Sequence, residues 1–92
     1  MSAVITKPKI LATAYAIAQE VGVHGIRRNE VAKRAEVAEG LVSFYYEITA
    51  LKAAVVEEAI RQADVAVLRG VVFNPIPGAP EIPAELRSQI LQ

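Results

Sequence analysis

Two pairs of basic side chains are the residues of this chain best suited to binding chemistry. Arg27-Arg28 and Lys33-Arg34 stand close together in the sequence. Guanidinium and ammonium groups bind phosphate oxygens through charge-assisted hydrogen bonds. The two pairs therefore favour a polyanionic partner such as DNA.

The parts of an enzyme active site are missing from the sequence. His24 is the only histidine and there is no cysteine, so no Ser-His-Asp, Cys-His or metal-spaced cluster can be assembled. Glu57 and Glu58 are neighbours in one predicted helix and point in different directions, so they do not form an acid-base pair. We expect no enzymatic activity, no catalytic residue, no metal site and no cofactor, and we expect His24 to be structural or solvated.

The charges are unevenly distributed, although the formal net charge of the 92 residues is zero. Residues 1–36 carry six basic and three acidic side chains, and residues 37–92 carry four and seven, which gives +3 and −3. This asymmetry indicates either one end that faces nucleic acid or a solvated charged surface without a partner.

Composition indicates a helical bundle. Hydrophobic residues make up 53% of the chain and aromatic residues 5%, so the core must be built mainly from Ala, Val, Ile and Leu. The length suits one compact domain. The absence of cysteine, of a long apolar run and of a signal-peptide pattern predicts a soluble, cytoplasmic protein with no membrane association.

Helical periodicity defines the elements that must position the basic pairs. Pro8 suits the first turn of a helix that follows a loose arm, and Gly22 suits its end. The predicted order is an arm at 1–7, helices at 8–21, 28–35, 41–46 and 49–69, a Pro-rich linker at 74–83 and a short last helix after Pro83. We therefore predict an all-α fold with three N-terminal helices, a long fourth helix with Thr49 as its N-cap, a strap and a short C-terminal helix.

The fourth helix carries more apolar surface than one small domain can cover. This excess indicates a homodimer or partner interface, and the alternative is packing against the chain's own C-terminal residues. We accordingly divide the chain into a helix-turn-helix region at 1–48 and a dimerisation or partner region at 49–92. The predicted interface residues are Val56, Ile60, Ala63, Val67, Leu68, Val71 and Phe73.

Motifs between residues 10 and 51 carry a family resemblance. A first helix ends in a glycine, a short helix contains Val31-Ala32, a turn reads AEVA at 35–38, and the next helix reads GLVSFYY at 40–46 before Leu51. This stretch resembles the N-terminal DNA-binding domain of the tetracycline-repressor (TetR/AcrR-like) family of transcription regulators. It departs from that pattern at Glu36, which replaces a turn glycine, and at Ala38, which replaces an N-cap serine.

The resemblance implies a helix-turn-helix whose second helix lies in the major groove. By the family pattern, Arg27, Arg28 and Tyr45 hold phosphates. Four further residues lie near base edges or backbone: Ala38, Glu39, Gly40 and Ser43. Glu39 either accepts a hydrogen bond from a cytosine amino group or is solvated at the helix start.

Two residues of this region have other expected roles. Gly40 would be costly inside an ordinary helix, which indicates that something approaches the backbone there. We expect Phe44 or Tyr46 to pack between helices rather than touch DNA.

The family normally carries a long ligand-binding domain, for which this chain has about forty residues at most, so a small-molecule inducer is not expected. The predicted function is a sequence-specific double-stranded DNA-binding transcription regulator, a repressor that acts as a homodimer on a palindromic operator. Such a miniature suits a bacterial, phage or plasmid genome. The alternative is a protein-interaction or anti-regulator module that keeps the helix-turn-helix shape and binds another, regulatory protein.

Overall fold

A computed structural model describes residues 3–92, with side chains from residue 4 onward. This part of the chain forms six α-helices and no strand, which confirms the all-α prediction. A 3₁₀ turn, Val23–Gly25, follows the first helix. No helix in the described part is long and apolar enough to cross a membrane. The helices are α1 Ala3–Val21, α2 Arg28–Ala35, α3 Glu39–Tyr45, α4 Ile48–Arg61, α5 Val65–Arg69 and α6 Ala84–Ile90.

The first helix begins earlier than the sequence predicts. Residues 3–7, predicted as part of a loose arm, are helical, and Pro8 lies inside α1; residues 1 and 2 lie outside the described part. The extra turn is in contact with the rest of the fold: Thr6 is 1% exposed, although its hydroxyl has no hydrogen-bond partner among the described residues, and Lys7 Nζ lies 5.1 Å from the centre of the Tyr46 ring.

The core is aliphatic, as the composition predicts. α1 packs against α4, and the fully buried side chains of Ile10, Ile17, Leu51 and Val55 lie in the same apolar cluster. Burying each such side chain stabilises the fold by about 1.5–3 kcal/mol relative to its exposure. α2 packs against α1, and α3 packs against α2.

The predicted long fourth helix is present, but it ends at Arg61 rather than at Arg69. Ala63 has the left-handed φ of 52°, and the Asp64 N–H donates to the carbonyl of Ala59 at 2.8 Å, which closes the helix end. Asp64 then caps α5 by accepting from the backbone N–H of Val67 at 3.2 Å. The carboxylate of Asp64 therefore makes the break favourable although the sequence has no glycine or proline there.

Residues 74–83 form an extended strap between α5 and α6. Its apolar side chains Ile76 and Ile82 are buried, and α6 packs against α5 through the side of the helix that carries Leu86 and Ile90. His24 Nε2 makes a 2.7 Å hydrogen bond with the carbonyl oxygen of Asn74 at the start of the strap. This contact ties His24, which is itself exposed, to the strap.

Candidate nucleic-acid interface

A tight turn joins the two short helices α2 and α3. Glu36 ends α2 in the left-handed conformation, with φ 59° and ψ 44°. The N–H of the next residue, Val37, donates to the carbonyl of Ala32 at 3.0 Å, which is the hydrogen bond of a Schellman motif. Glu36 thus has the conformation that glycine favours, at the position where the resembling family places glycine.

The buried sides of α2 and α3 orient the pair. Val31 and Ala35 of α2 are fully buried, and Val42 of α3 is 1% exposed. α2 packs against both α1 and α3. Because these apolar residues face inward, the opposite side of α3 must face solvent.

The outward face of α3 contains the four residues that the sequence predicts near base edges. Ala38, Glu39, Gly40 and Ser43 are all exposed. Ala38 is the N-cap of α3 and gives no side-chain cap, since the N–H of Leu41 bonds only to its backbone carbonyl, at 2.9 Å. The structure therefore brings these four residues together on one accessible surface.

Gly40 occupies open space on this surface. A Cβ built at Gly40 would meet no heavy atom within 4 Å, and its φ is not in the left-handed region. Neither internal packing nor backbone conformation therefore requires glycine, which destabilises a helix by about 0.5–1 kcal/mol relative to alanine. Close approach by an external partner is a physical reason for a glycine at this position.

The aromatic run after Gly40 is divided between surface and core. Phe44 is 77% exposed, and its ring meets the Tyr45 ring edge to face at 5.1 Å. Tyr45 and Tyr46 are half-buried and pack against the core, and burial raises the pKa of Tyr46. The prediction that Phe44 or Tyr46 packs between helices therefore describes Tyr46, while Phe44 points outward.

The two arginines that begin the helix-turn-helix differ in exposure. Arg27 is exposed, and no ion pair to it is found among the described residues. Arg28 is half-buried, with Nε enclosed and without a hydrogen-bond partner. Its charge also acts on Glu47, whose pKa is lowered mainly because the carboxylate accepts hydrogen bonds from the backbone N–H groups of Thr49 and Ala50. Glu47, not Thr49, is therefore the N-cap of α4.

The two members of the second basic pair also differ, because carboxylates hold one of them and not the other. Arg34 is held by Glu20 at 2.8 Å and by Glu30 at 2.8 Å, which ties α2 to α1. These hydrogen bonds raise the pKa of Arg34 and lower that of Glu20. Lys33 is exposed, and in residues 3–92 it has no ion pair. Lys33, rather than Arg34, is the cation of this pair that a phosphate can reach.

The charge of the candidate interface is balanced. Residues 27–47 contain four basic side chains and four acidic ones, among which Glu36 and Glu39 are exposed. Any attraction to a polyanion must therefore come from the local placement of Arg27, Arg28 and Lys33 rather than from net charge.

The predicted partner residues of the C-terminal half fall into two groups. Val56, Val67, Leu68 and Val71 are buried in the chain's own core, where the C-terminal segment covers them, as the alternative interpretation expects. Three residues remain accessible to different degrees: Ile60 is half-buried, Ala63 is exposed and Phe73 is 83% exposed. Any contact between copies must use the second group or residues outside the predicted set.

Sequence reasoning missed the outward position of Phe44. A signal was present, because Phe44 follows Gly40 by four residues and therefore shares its face of the helix. Within the described residues, no three His, Asp or Glu side chains are grouped in a way that could hold a metal ion.

Comparisons of the chain with protein-family models, with curated proteins and with solved structures find no match in any of the three. The function must therefore be argued from the residues of the interface.

Proposed function

We propose that this chain is a sequence-specific double-stranded DNA-binding transcription regulator of the tetracycline-repressor type, and that it acts as a repressor. The observation that carries the proposal is Gly40, an unconstrained glycine in the exposed face of a short helix that follows a tight turn. A recognition helix lies in the major groove and reads base edges with its exposed side chains, and a glycine in that helix lets the backbone come close to the duplex. The exposed small residues Ala38 and Ser43 on the same face support this assignment.

In the proposed complex, α3 lies in the major groove and α2 crosses the phosphate backbone. Arg27 and Arg28 stand at the start of α2, and Lys33 is exposed further along it. Phosphate contacts from these cations fix the register of the protein on the duplex, while α3 reads the bases. With about three accessible cations per copy, the electrostatic part of binding is modest, since each phosphate contact contributes about 0.9 to the salt slope.

The proposal includes two copies on a palindromic site. A symmetric operator matches the two-fold symmetry of a protein dimer, with half-sites spaced by about 34–36 Å or its multiples. The side chain of Phe73, exposed at the end that follows α5, is the largest accessible apolar group of the predicted interface set. Contact through Phe73 gives the two copies a small interface, which the shared operator complements.

A second candidate function is supported by the charge balance of residues 27–47. A protein-interaction module would use the exposed ring of Phe44 and the same face of α3 to bind another protein, and it would need no excess of positive charge. The two functions differ in whether the purified chain selects a DNA sequence.

Selection of binding sites from random duplex DNA at low salt tests the proposal. We expect enrichment of a palindromic motif and a complex whose mass corresponds to two copies per duplex. The comparison variant is Gly40→Leu. Its large side chain stands where DNA must approach α3, so we expect this variant to enrich no sequence. Absence of enrichment by the unaltered chain would exclude the DNA-binding proposal and favour the protein-interaction module.

A further inference from the structure

A cavity of about 290 Å³ lies between α4, the strap and α6, away from the candidate nucleic-acid interface. Its apolar wall includes Val56 of α4 and two residues of the strap, Ile76 and Ile82, all of which are buried. Two charged residues complete the lining, Glu81 of the strap and Arg87 of α6. An apolar interior with a small number of polar groups is typical of a site for a small molecule.

The wall that the strap contributes is shaped by a tight turn. The N–H of Ala79 donates to the carbonyl of Ile76 at 3.1 Å, which closes the turn. Pro77 and Gly78 are its two central residues, and Gly78 has the positive φ of 83°. Proline followed by glycine in these positions is typical of a type II turn. The wall is therefore formed before a ligand binds, which reduces the conformational entropy that binding costs.

The charged part of the lining lies where the cavity opens to solvent, because Glu81 and Arg87 are both exposed. In residues 4–92 neither of the two charged groups forms an ion pair. The opening therefore offers one free anion and one free cation beside an apolar interior. A ligand that complements this arrangement carries both charges at one end and an apolar group at the other.

We propose that the cavity binds a free α-amino acid with a large apolar side chain, of which phenylalanine matches the size. The α-carboxylate pairs with the guanidinium of Arg87, the α-ammonium pairs with the carboxylate of Glu81, and the apolar side chain fills the interior. A ligand with a carboxylate alone would leave Glu81 unpaired and close to a like charge. The inference goes beyond the proposed function and does not depend on DNA binding.

The volume of the cavity sets the size of the ligand. It is about twice the volume of roughly 150 Å³ that suffices for a benzene ring, so it suits a molecule of about twelve non-hydrogen atoms. Phenylalanine has that size, whereas glycine and alanine would leave the apolar wall uncovered. The site needs no separate ligand-binding domain, since α4, the strap and α6 form it within the fold.

Titration of the isotope-labelled chain with four probes, followed by heteronuclear NMR, tests the inference. L-phenylalanine is compared with 3-phenylpropionate, which lacks the ammonium, with 2-phenylethylamine, which lacks the carboxylate, and with glycine, which lacks the ring. We expect phenylalanine to bind with a dissociation constant of roughly 0.1–1 mM and to shift the amide signals of Ile82 and Arg87. The two probes with a single charge should bind roughly threefold to fivefold more weakly, and glycine should not bind.

Substitutions of the two charged residues assign each contact. Arg87→Ala should weaken the binding of phenylalanine and of 3-phenylpropionate and leave that of 2-phenylethylamine no weaker. Glu81→Gln should weaken the binding of phenylalanine and of 2-phenylethylamine and leave that of 3-phenylpropionate no weaker. The matched controls are Arg69→Ala and Glu85→Gln, which make the same changes of charge at exposed residues outside the cavity lining and should bind every probe as the unaltered chain does.

Three results would overturn the inference: no binding of phenylalanine up to about 10 mM, equal affinity for the three probes that carry the ring, or unchanged affinity in Arg87→Ala. Tighter binding of 3-phenylpropionate than of phenylalanine would also overturn it and assign the site to a simple carboxylate. A dimeric chain that binds phenylalanine only after Phe73→Ala would assign the cavity to the ring of a second copy instead. The amide spectra of the variants check that they fold, which we expect because the altered side chains are exposed.

Discussion

The hydroxyl of Tyr15 donates a 2.5 Å hydrogen bond to Oδ2 of Asp64 and so joins α1 to the residue that caps α5. The two residues lie 49 positions apart in the sequence. Burial, and then the hydrogen bond to Asp64, raise the pKa of Tyr15, while the hydrogen bond from Tyr15 lowers the pKa of Asp64. The bond therefore requires a protonated phenol and an ionised carboxylate.

Tyr15→Phe should lower the free energy of unfolding by about 1 kcal/mol at neutral pH, because one charge-assisted hydrogen bond is lost in a partly exposed site. The stabilisation from Asp64 is present above its unfolded pKa of about 3.9 and is lost as the pH falls through the lower folded value. The stabilisation from Tyr15 is complete below about pH 10 and is lost as the pH rises through its higher folded value.

Urea unfolding of Tyr15→Phe and of the unaltered chain, repeated from acid to alkaline pH, measures the difference in their free energies of unfolding. The control is Tyr45→Phe, since no hydrogen bond from the Tyr45 hydroxyl is found in the described part of the chain, and this variant should match the unaltered chain. If the difference in the free energy of unfolding between Tyr15→Phe and the unaltered chain were as large at pH 2 as at neutral pH, the hydrogen bond to the Asp64 carboxylate would not be its cause.

Glu36→Gly should stabilise the turn between α2 and α3. A side chain at a left-handed φ of 59° costs roughly 1–2 kcal/mol, part of which the greater freedom of glycine in the unfolded chain offsets. We expect a net gain of about 0.5–1 kcal/mol in the free energy of unfolding, measured by thermal denaturation. Glu36→Ala removes the same carboxylate but keeps Cβ, so it should show no such gain, and an equal gain in both variants would point to charge instead.

Gly40→Ala should separate stability from DNA binding. Alanine fits the open space at this position and favours the helix, so the variant should be more stable by about 0.5–1 kcal/mol. The added methyl group occupies the space that the groove must enter, and we expect the affinity for the selected duplex to fall roughly tenfold, a change of about 1.4 kcal/mol.

Gly70→Ala is the matched control for this prediction. A Cβ at Gly70 would lie 3.5 Å from the carbonyl oxygen of Val67, an ordinary contact, and Gly70 ends α5, outside the candidate interface. This variant should bind DNA with unchanged affinity. Unchanged affinity in Gly40→Ala as well would remove the observation that carries the proposed function.

Arg27→Ala should weaken binding to all DNA sequences alike and reduce the slope of log affinity against log salt by about 1. Arg34→Ala should reduce the slope less, because Glu20 and Glu30 already hold that guanidinium. Fluorescence anisotropy at several salt concentrations measures both slopes. Arg69→Ala, at the exposed end of α5, is the control with the same change of charge, and an equal loss in Arg27→Ala and Arg69→Ala would show that only net charge matters.

The parts of the fold that the sequence predicted well are those fixed by amphipathic periodicity. The bounds of α2, Arg28–Ala35, agree with the prediction because Val31, Ala32 and Ala35 form a clear buried stripe. α6 begins after Pro83, whose fixed φ suits a helix start. The four residues predicted near base edges came from the family resemblance rather than from periodicity, and all four are exposed.

The features that sequence reasoning missed depend on contacts between distant residues. The left-handed break at Ala63 is stabilised by Asp64, which also holds Tyr15, and no local pattern reveals that pairing. The early start of α1 is accompanied by the contact of Lys7 with Tyr46, a residue far along the sequence. Propensity and spacing describe neighbours along the chain, so they cannot report these long-range contacts.

The break at Ala63 affects how two copies would meet in the proposed DNA complex. A continuous helix from Ile48 to Arg69 would be a rod about 33 Å long, with its apolar stripes bare along much of its length. Because Ala63 turns the chain back, α5 and the C-terminal segment cover the apolar surface of the same chain. In the proposed complex, two copies would therefore share little surface, and the spacing of the DNA half-sites would set the distance between them.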